Sequence, residues 1–588
     1  MTHPDASLSA LKGHGFSRAA TAAKSSWALA PEGCFHFRYA YTFLSRFIPL
    51  RSTTRLIFIS AIFLAAFTIS SAQKSPVPSS GPYRIAGRLI NASTGEPVRR
   101  ATVSVLGEDD GHLLQSVQSD NDGRFSLDHL PAGKYPLTAS RRGFRSAFYD
   151  EHDEFNSAIV TGPDQDTTSL AFRLMPAAVL HGVVTGDGGD PAENASVILF
   201  KRDHNSAHGA APDEIKQADG TMTDDTGSYE FSNLAAGEYY VAVVTSPWYA
   251  MHPPPRRATS EDSPLDVAYP VTFFDSTTSE ASATPILLEA GTRQEADISL
   301  HAVPALRFQV AAPPKVGVIA QPELRTMVFG AQFSSESPSA SDPIHTGVVE
   351  FSGIAPGHYQ LLQGNPPRIS ELDANSSQAV DSNAGAPAVT VSGTLRSTTG
   401  APVPDNVNVV LEDATGQTQG SMQINARKGA FSFDAVPSGI WSLSAAAQGN
   451  PLPVVAISSA GSVTAGNQIN VKDRAVSVVA TVSPSLSRVT GFARADGKGV
   501  PGAMIVLVPH QPSAYRALVR RDQSDSDGSF SLRDVPAGQY TVIAIEDGWK
   551  LDWTDRAGIT RFLPRGVSVT VSDQAGGALS LSEPVPVQ

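Results

Sequence analysis

One local pattern recurs five times along this chain. A glycine-bearing turn leads into a short aromatic strand, and a second glycine turn leads into another. The clearest copies run Ser119-Asp120-Asn121-Asp122-Gly123-Arg124-Phe125-Ser126-Leu127, then Leu130-Pro131-Ala132-Gly133-Lys134-Tyr135, and Ser524-Asp525-Ser526-Asp527-Gly528-Ser529-Phe530-Ser531-Leu532, then Val535-Pro536-Ala537-Gly538-Gln539-Tyr540. A third reads Thr223-Asp224-Asp225-Thr226-Gly227-Ser228-Tyr229-Glu230-Phe231, then Leu234-Ala235-Ala236-Gly237-Glu238-Tyr239. Worn copies stand at Glu350-Phe351 with Ile354-Ala355-Pro356-Gly357-His358-Tyr359, and at Gly429-Ala430-Phe431-Ser432-Phe433 with Val436-Pro437-Ser438-Gly439-Ile440-Trp441. The second glycines fall at 133, 237, 357, 439 and 538, at intervals of 104, 120, 82 and 99 residues. That spacing suits a small β-domain, not a solenoid unit of roughly 20–50 residues.

The residue types explain the pattern. Asp-Gly supplies the positive φ angles of a tight hairpin, and Phe-Ser-Leu places one side chain in and the next out. Proline at the second position of Leu130-Pro131-Ala132-Gly133 suits a type I turn, and glycine favours its last position. The following strand alternates again, with Tyr135, Leu137 and Ala139 on one face. Upstream, the better copies open alike: Ile85-Ala86-Gly87-Arg88-Leu89, Val179-Leu180-His181-Gly182-Val183, Val391-Ser392-Gly393-Thr394-Leu395 and Val489-Thr490-Gly491-Phe492-Ala493. Short strands punctuated by Gly, Pro and Asp, without helical periodicity after residue 72, predict an all-β chain. It is expected to be a tandem array of about five antiparallel, Greek-key-type β-sandwiches.

These repeats resemble the carboxypeptidase regulatory-like domain, a transthyretin-like sandwich of about seven strands. That domain is grouped with carbohydrate-binding-like folds and is similar to the B-type repeats of Gram-positive collagen adhesins. The resemblance is specific in repeats one, two and five, fair in four and weak in three, whose front half lacks the Gly-x-Pro element. It implies the fold more firmly than a function, and it implies domains that are not themselves peptidases. The expected boundaries are 83–176, 177–303, 304–386 (degenerate), 387–475 and 476–588, after a leader (1–55), an apolar segment (56–72) and a linker (73–82).

Residues 56–69 form a 14-residue apolar run behind Arg46, Arg51 and Arg55, with Ser70-Ser71-Ala72 following. This predicts a signal peptide cleaved before Gln73, with an uncleaved anchor as the alternative. Either way the repeats are expected to be exported, to the periplasm, the cell envelope or the medium, touching a membrane only through that segment. Residues 1–45 carry the chain's one cysteine, Cys34, and read as sequence upstream of the true start. The exported part then has no disulfide or thiol nucleophile. Without residues 1–72 the chain holds 37 Lys/Arg against 55 Asp/Glu, a net charge of −18. That disfavours nucleic acid and anionic membranes as partners.

No catalytic motif stands out: there is no His-Glu-x-x-His, no Gly-x-Ser-x-Gly and no phosphate loop. Ser71-Ala72-Gln73-Lys74 straddles the cleavage site without companions. The pairs Asp120 with Asp122, and Asp525 with Asp527, put two carboxylates in one turn. They read either as turn residues or as part of a calcium site, though calcium wants six to eight oxygens. No other cofactor is expected. The aromatics lead further. Trp441 takes the place of the repeat tyrosine and is expected in the core, whereas Trp248, Tyr249, Trp549 and Trp553 follow the last hairpin strand of repeats two and five. Flanked by carboxylates, these rings either stack on the sugars of a glycan or surface polymer or cap one end of a sandwich. If extended, Trp549 and Trp553 would share one face about 13 Å apart. The leading expectation is a non-catalytic glycan- or polymer-binding protein. A structural or adhesive spacer array, or an accessory to a peptidase or transporter, are the alternatives.

Overall fold

The computed structural model describes residues 81–588 apart from 109–110, 204–213, 248–265, 312–321, 337, 339, 343–347, 364–367, 381–384, 414–420, 460–463, 552, 554–555 and 574–576. Repeats one, two, three and five are two-sheet sandwiches, and in the fourth the Arg427–Ala430 pairing joins the two layers into one ten-stranded sheet. In the fifth, Leu486–Ala495 is flanked by Ser529–Pro536 on one side and by Ala578–Ser580 and Val585–Pro586 on the other. The facing sheet runs Arg520–Gln523, Met504–Pro509, Gly538–Ile545, Val567–Val571. Repeat one matches it, with Tyr83–Asn91 between Arg124–Leu130 and Leu170–Leu174. The degenerate third repeat keeps the same plan: Leu306–Ala311 lies between Val348–Ile354 and Gln378–Val380.

The chain is all-β and most strand pairs are antiparallel, as expected, but the closing strand of each repeat pairs parallel with the first strand, as in Val391–Ser397 against Val476–Val482. Turn residues report only neighbouring hairpins, whereas a parallel pair needs a long crossover that leaves no local signature. For the same reason the expected boundary at 475/476 cuts the fourth sandwich. Val476, Val478, Ala480 and Val482 belong to its core, and the fifth repeat begins at Leu486–Ala495.

The repeated residues hold each sandwich together. Phe530 is 1% exposed and Leu532 fully buried, with Trp441 also in the core, so the alternation read from sequence places the right face inward. The strand glycine opposite makes room for that ring, since a Cβ at Gly491 would lie 2.7 Å from Phe530 Cζ. In the second turn, the aromatic residue donates back to the carbonyl four residues earlier. Tyr135 reaches Pro131 at 3.0 Å, Tyr239 Ala235 at 2.9 Å, Tyr359 Ala355 at 2.8 Å and Tyr540 Pro536 at 2.9 Å. Trp441 does the same through its indole N–H, to Pro437 at 3.0 Å. That shared donor explains why tryptophan replaces tyrosine there. The buried hydroxyls of Ser119, Thr223 and Ser524 tie the first turn to the loop before the second strand, each accepting from one backbone N–H and donating to one carbonyl.

Each first strand also meets its hairpin partner across a bulge with a left-handed residue: His129, Asn233, Gly353, Ala435 and Asp534, at φ of 62°, 61°, 78°, 60° and 54°. The varied identities hide this from the sequence. Left-handed backbone costs an L-residue about 1–2 kcal/mol, and glycine adds unfolded-state entropy that offsets part of the relief. Ala435→Gly is therefore expected to stabilise the fourth repeat by about 0.5–1 kcal/mol. Chemical denaturation of the two chains checks this, and an unchanged or lower midpoint would contradict it.

Candidate functional site: the junction of the first and fifth repeats

The turn carboxylates take two different jobs. In repeat one, Asp120 Oδ1 accepts the N–H groups of Asp122 and Arg124 at 2.9 and 2.7 Å, while Asp122 pairs with Arg124 at 2.6 Å. In repeat two, Asp224 likewise accepts from the Thr226 hydroxyl and from the N–H groups of Ser228 and Thr226, which lowers its pKa. In repeat five, Asp527 holds the turn, accepting the Ser529 N–H at 2.9 Å and its hydroxyl at 2.6 Å. Asp525 turns outward to repeat one. Its Oδ2 takes Lys134 Nζ at 2.6 Å and its Oδ1 the Ala158 N–H at 3.0 Å. The oxygens of Asp120, Asp122, Asp525 and Asp527 thus serve backbone, hydroxyl, guanidinium and ammonium donors. Among the described residues, no three or more His, Cys, Asp or Glu side chains are grouped to hold a metal ion.

Around that ion pair the loop 150–160 of repeat one docks against repeat five. Ser157 donates to the Ser524 carbonyl at 2.9 Å, and the Val160 N–H donates to Ser526 Oγ at 2.8 Å. Gln523, 1% exposed, donates to Ser157 Oγ at 2.9 Å and meets His152 Nδ1 at 3.1 Å. Beside this polar strip lies an aromatic one. The His152 ring stacks on Trp549 with centroids 5.0 Å apart and planes 8° from parallel, and Phe155 sits 5.9 Å from the same indole. The Arg521 guanidinium lies 3.8 Å from the Trp553 centroid, 5.0 Å from Phe155 and 5.9 Å from Trp549. It also pairs with Asp153 at 3.0 Å and Glu154 at 3.3 Å, and its side chain is only 5% exposed. A desolvated cation over aromatic faces gains about 2 kcal/mol, and the two carboxylates satisfy its charge.

This arrangement corrects the expectation for Trp549 and Trp553. The chain there is not extended: Gly548–Lys550 is a 3-10 turn, and both rings pack on the outer face of the second sheet with Met504, Val506, Ile543, Ile545 and Ile559. Trp549 Nε1 donates to the Gly502 carbonyl at 3.0 Å. One face of its ring is covered by His152, so the pair forms no open platform for consecutive sugars. Trp248 and Tyr249 lie outside the described residues. The residues that sequence reasoning missed are Lys134, His152, Asp153, Glu154, Phe155, Arg521 and Gln523. A signal was present: the acidic run Asp150-Glu151-His152-Asp153-Glu154 complements the pair Arg520-Arg521. A cleft of about 200 Å³ beside Trp549 is bordered by Asp150, His152, Gly502, Glu546 and Asp547.

Asp522 lies on Arg520–Gln523, the strand leading into Asp525. Burial pushes its pKa up to about 7, further raised by Asp525, while N–H donation from Ser531 at 2.6 Å and from Gln523, together with Lys134, pulls it down. Burial raises Asp525 as well, against the pull of Lys134. A carboxyl whose pKa is higher folded than unfolded binds its proton more tightly in the native state. Its contribution is complete below about pH 4 and is lost as pH rises to about 7. We expect the fifth repeat to lose on the order of 2–4 kcal/mol over that window, discounted for the residual exposure of Asp522, and Asp522→Asn to remove most of the loss. Thermal melts of both chains at pH 5 and 8 measure the difference. Parallel pH profiles would contradict the assignment.

Sequence comparison bears on the repeats one at a time. Residues 84–174 match the carboxypeptidase regulatory-like domain. The first repeat is a carboxypeptidase regulatory-like domain. Colossin-A of Dictyostelium discoideum is 24% identical over an alignment of 199 residues that covers 30% of this chain, and the chain spans 2% of colossin-A's length. Among solved structures, the chain is similar to the two B repeat units of the collagen-binding protein of Staphylococcus aureus, at 9% identity over 68% of this chain and 99% of that one, with a TM-score of 0.12. It is also similar to the Bacillus anthracis TIE protein, at 10% identity over 82% and 67% of the two chains, with a TM-score of 0.15. The sheet plan and the backbone-bonded aromatic recur in the described parts of the four later repeats, as a tyrosine in repeats two, three and five and as Trp441 in repeat four, whereas the turn aspartate recurs in repeats two and five. What sets the first apart is the loop 150–160 that docks on the fifth.

Proposed function

We propose that this chain is an exported, non-catalytic structural protein in which β-sandwich repeats form an array whose first and last members clamp together. The observation that carries this reading is the junction itself. Arg521, 5% exposed, is held by two carboxylates and three rings, and the Trp549 face that a sugar would need is occupied by His152. The apolar run at 56–69 behind its arginines supports export. The turn carboxylates and ring-bearing residues of repeats one and five are engaged in holding strands and joining repeats, which favours scaffolding over ligand capture. Retention of the full chain on a panel of immobilised polysaccharides tests it. We expect no retention, and a larger hydrodynamic radius for Trp549→Ala with Trp553→Ala. Retention that this double substitution abolishes, with the radius unchanged, would restore the glycan-binding reading.

A further inference from the structure

The junction joins two different faces of one chain, the 150–160 loop and Lys134 on repeat one and Gln523–Asp527 with Arg521 and Trp549 on repeat five. Its hydrogen bonds and ion pairs link positions 366 to 391 residues apart. Neither face belongs to the other repeat's core. The core of repeat one draws only on residues between Ile85 and Phe172 or Leu174, and the two clusters of repeat five contain no residue of repeat one. The contact is made instead of ion pairs, hydrogen bonds and ring faces laid on finished sandwiches. Opening it leaves both repeats folded and exposes two complementary surfaces, acidic and aromatic on one side, Arg521-centred on the other.

Resting on the clamp reading, we infer that a second copy of this chain is the partner these surfaces fit, repeat five of one copy docking on repeat one of the next. An interface between unlike faces has no symmetry that limits it to a dimer, so open chains would join head to tail. Within one chain, closure is intramolecular, with an effective concentration set by the three repeats between the faces that does not fall on dilution. The closed monomer therefore dominates in dilute solution, and exchange between copies takes over where copies are crowded or the clamp is pulled open. The chemistry of both states is the same: the Lys134–Asp525 and Arg521–Asp153 pairs and the His152–Trp549 stack form in trans as they do in cis.

Two full-length variants separate the possibilities. Arg521→Ala with Trp549→Ala disables the face of repeat five and keeps that of repeat one. His152→Ala with Phe155→Ala does the reverse. Each alone has a single working face and is expected to run as an open monomer, with a larger hydrodynamic radius than the parent chain. Mixed in equal amounts, they are expected to form a one-to-one dimer of twice the chain mass in light scattering, while neither self-associates. Open monomers that stay monomeric on mixing would overturn the exchange and leave the clamp standing. Variants as compact as the parent chain would overturn the clamp, and the exchange with it.

Discussion

Phe530→Ala is expected to cost the fifth repeat about 3–5 kcal/mol, the range for truncating a fully buried phenylalanine. The ring is 1% exposed and fills the space over Gly491, where a Cβ would approach its Cζ to 2.7 Å, so the surroundings have little freedom to close the void. A small domain holds about 5–15 kcal/mol in all, so most of its margin goes. The loss should stay within that repeat's own core, which joins Phe530 to Val489, Leu507, Tyr540 and Val585. Hydrogen exchange on the full chain reads this directly. Protection should fall steeply along Leu486–Ala495 and hold along Ala178–Thr185 in the second repeat. Equal losses in both strands would show that the array unfolds as one cooperative unit.

Arg521→Ala is expected to open the clamp while sparing the sandwiches. The substitution strands Asp153 and Glu154 without their cation and removes the plane between Trp553, Phe155 and Trp549. Both carboxylates are half or more exposed, so water takes up their charge and the loss is chiefly that of the cation over the rings, about 2 kcal/mol. That shifts the balance toward the open state more than tenfold, since each 1.4 kcal/mol is tenfold in the equilibrium. Tryptophan emission should shift to longer wavelength as Trp549 loses His152 and meets water, and small quenchers should gain access to it. Arg521→Lys keeps the charge but loses the planar fork, so it should fall between the two. An unchanged spectrum and radius in Arg521→Ala would contradict the clamp.

The sequence alone determined the unit and its phase. Turn residues and the alternation of Phe-Ser-Leu act over a few residues, through backbone sterics and the two-fold period of a strand. They therefore set the repeats and the inward faces of Phe125, Phe530, Tyr540 and Trp441. Even the tyrosine that bonds to the carbonyl four residues back is a local device written into the repeat. Only the tertiary structure decided what the turns could not express. The parallel closing strand returns from the far end of each repeat, so Val476–Val482 fell on the wrong side of a boundary drawn from hairpin signals. Asp120 and Asp525 occupy the same turn, yet one serves its own loop and the other binds Lys134 of a repeat nearly 400 residues away. Trp549 carries the same contrast, because whether a ring meets solvent, sugar or His152 depends on how finished domains are placed against one another. That placement is set by the summed complementarity of two surfaces, which is spread over distant segments and leaves no periodic trace in either one.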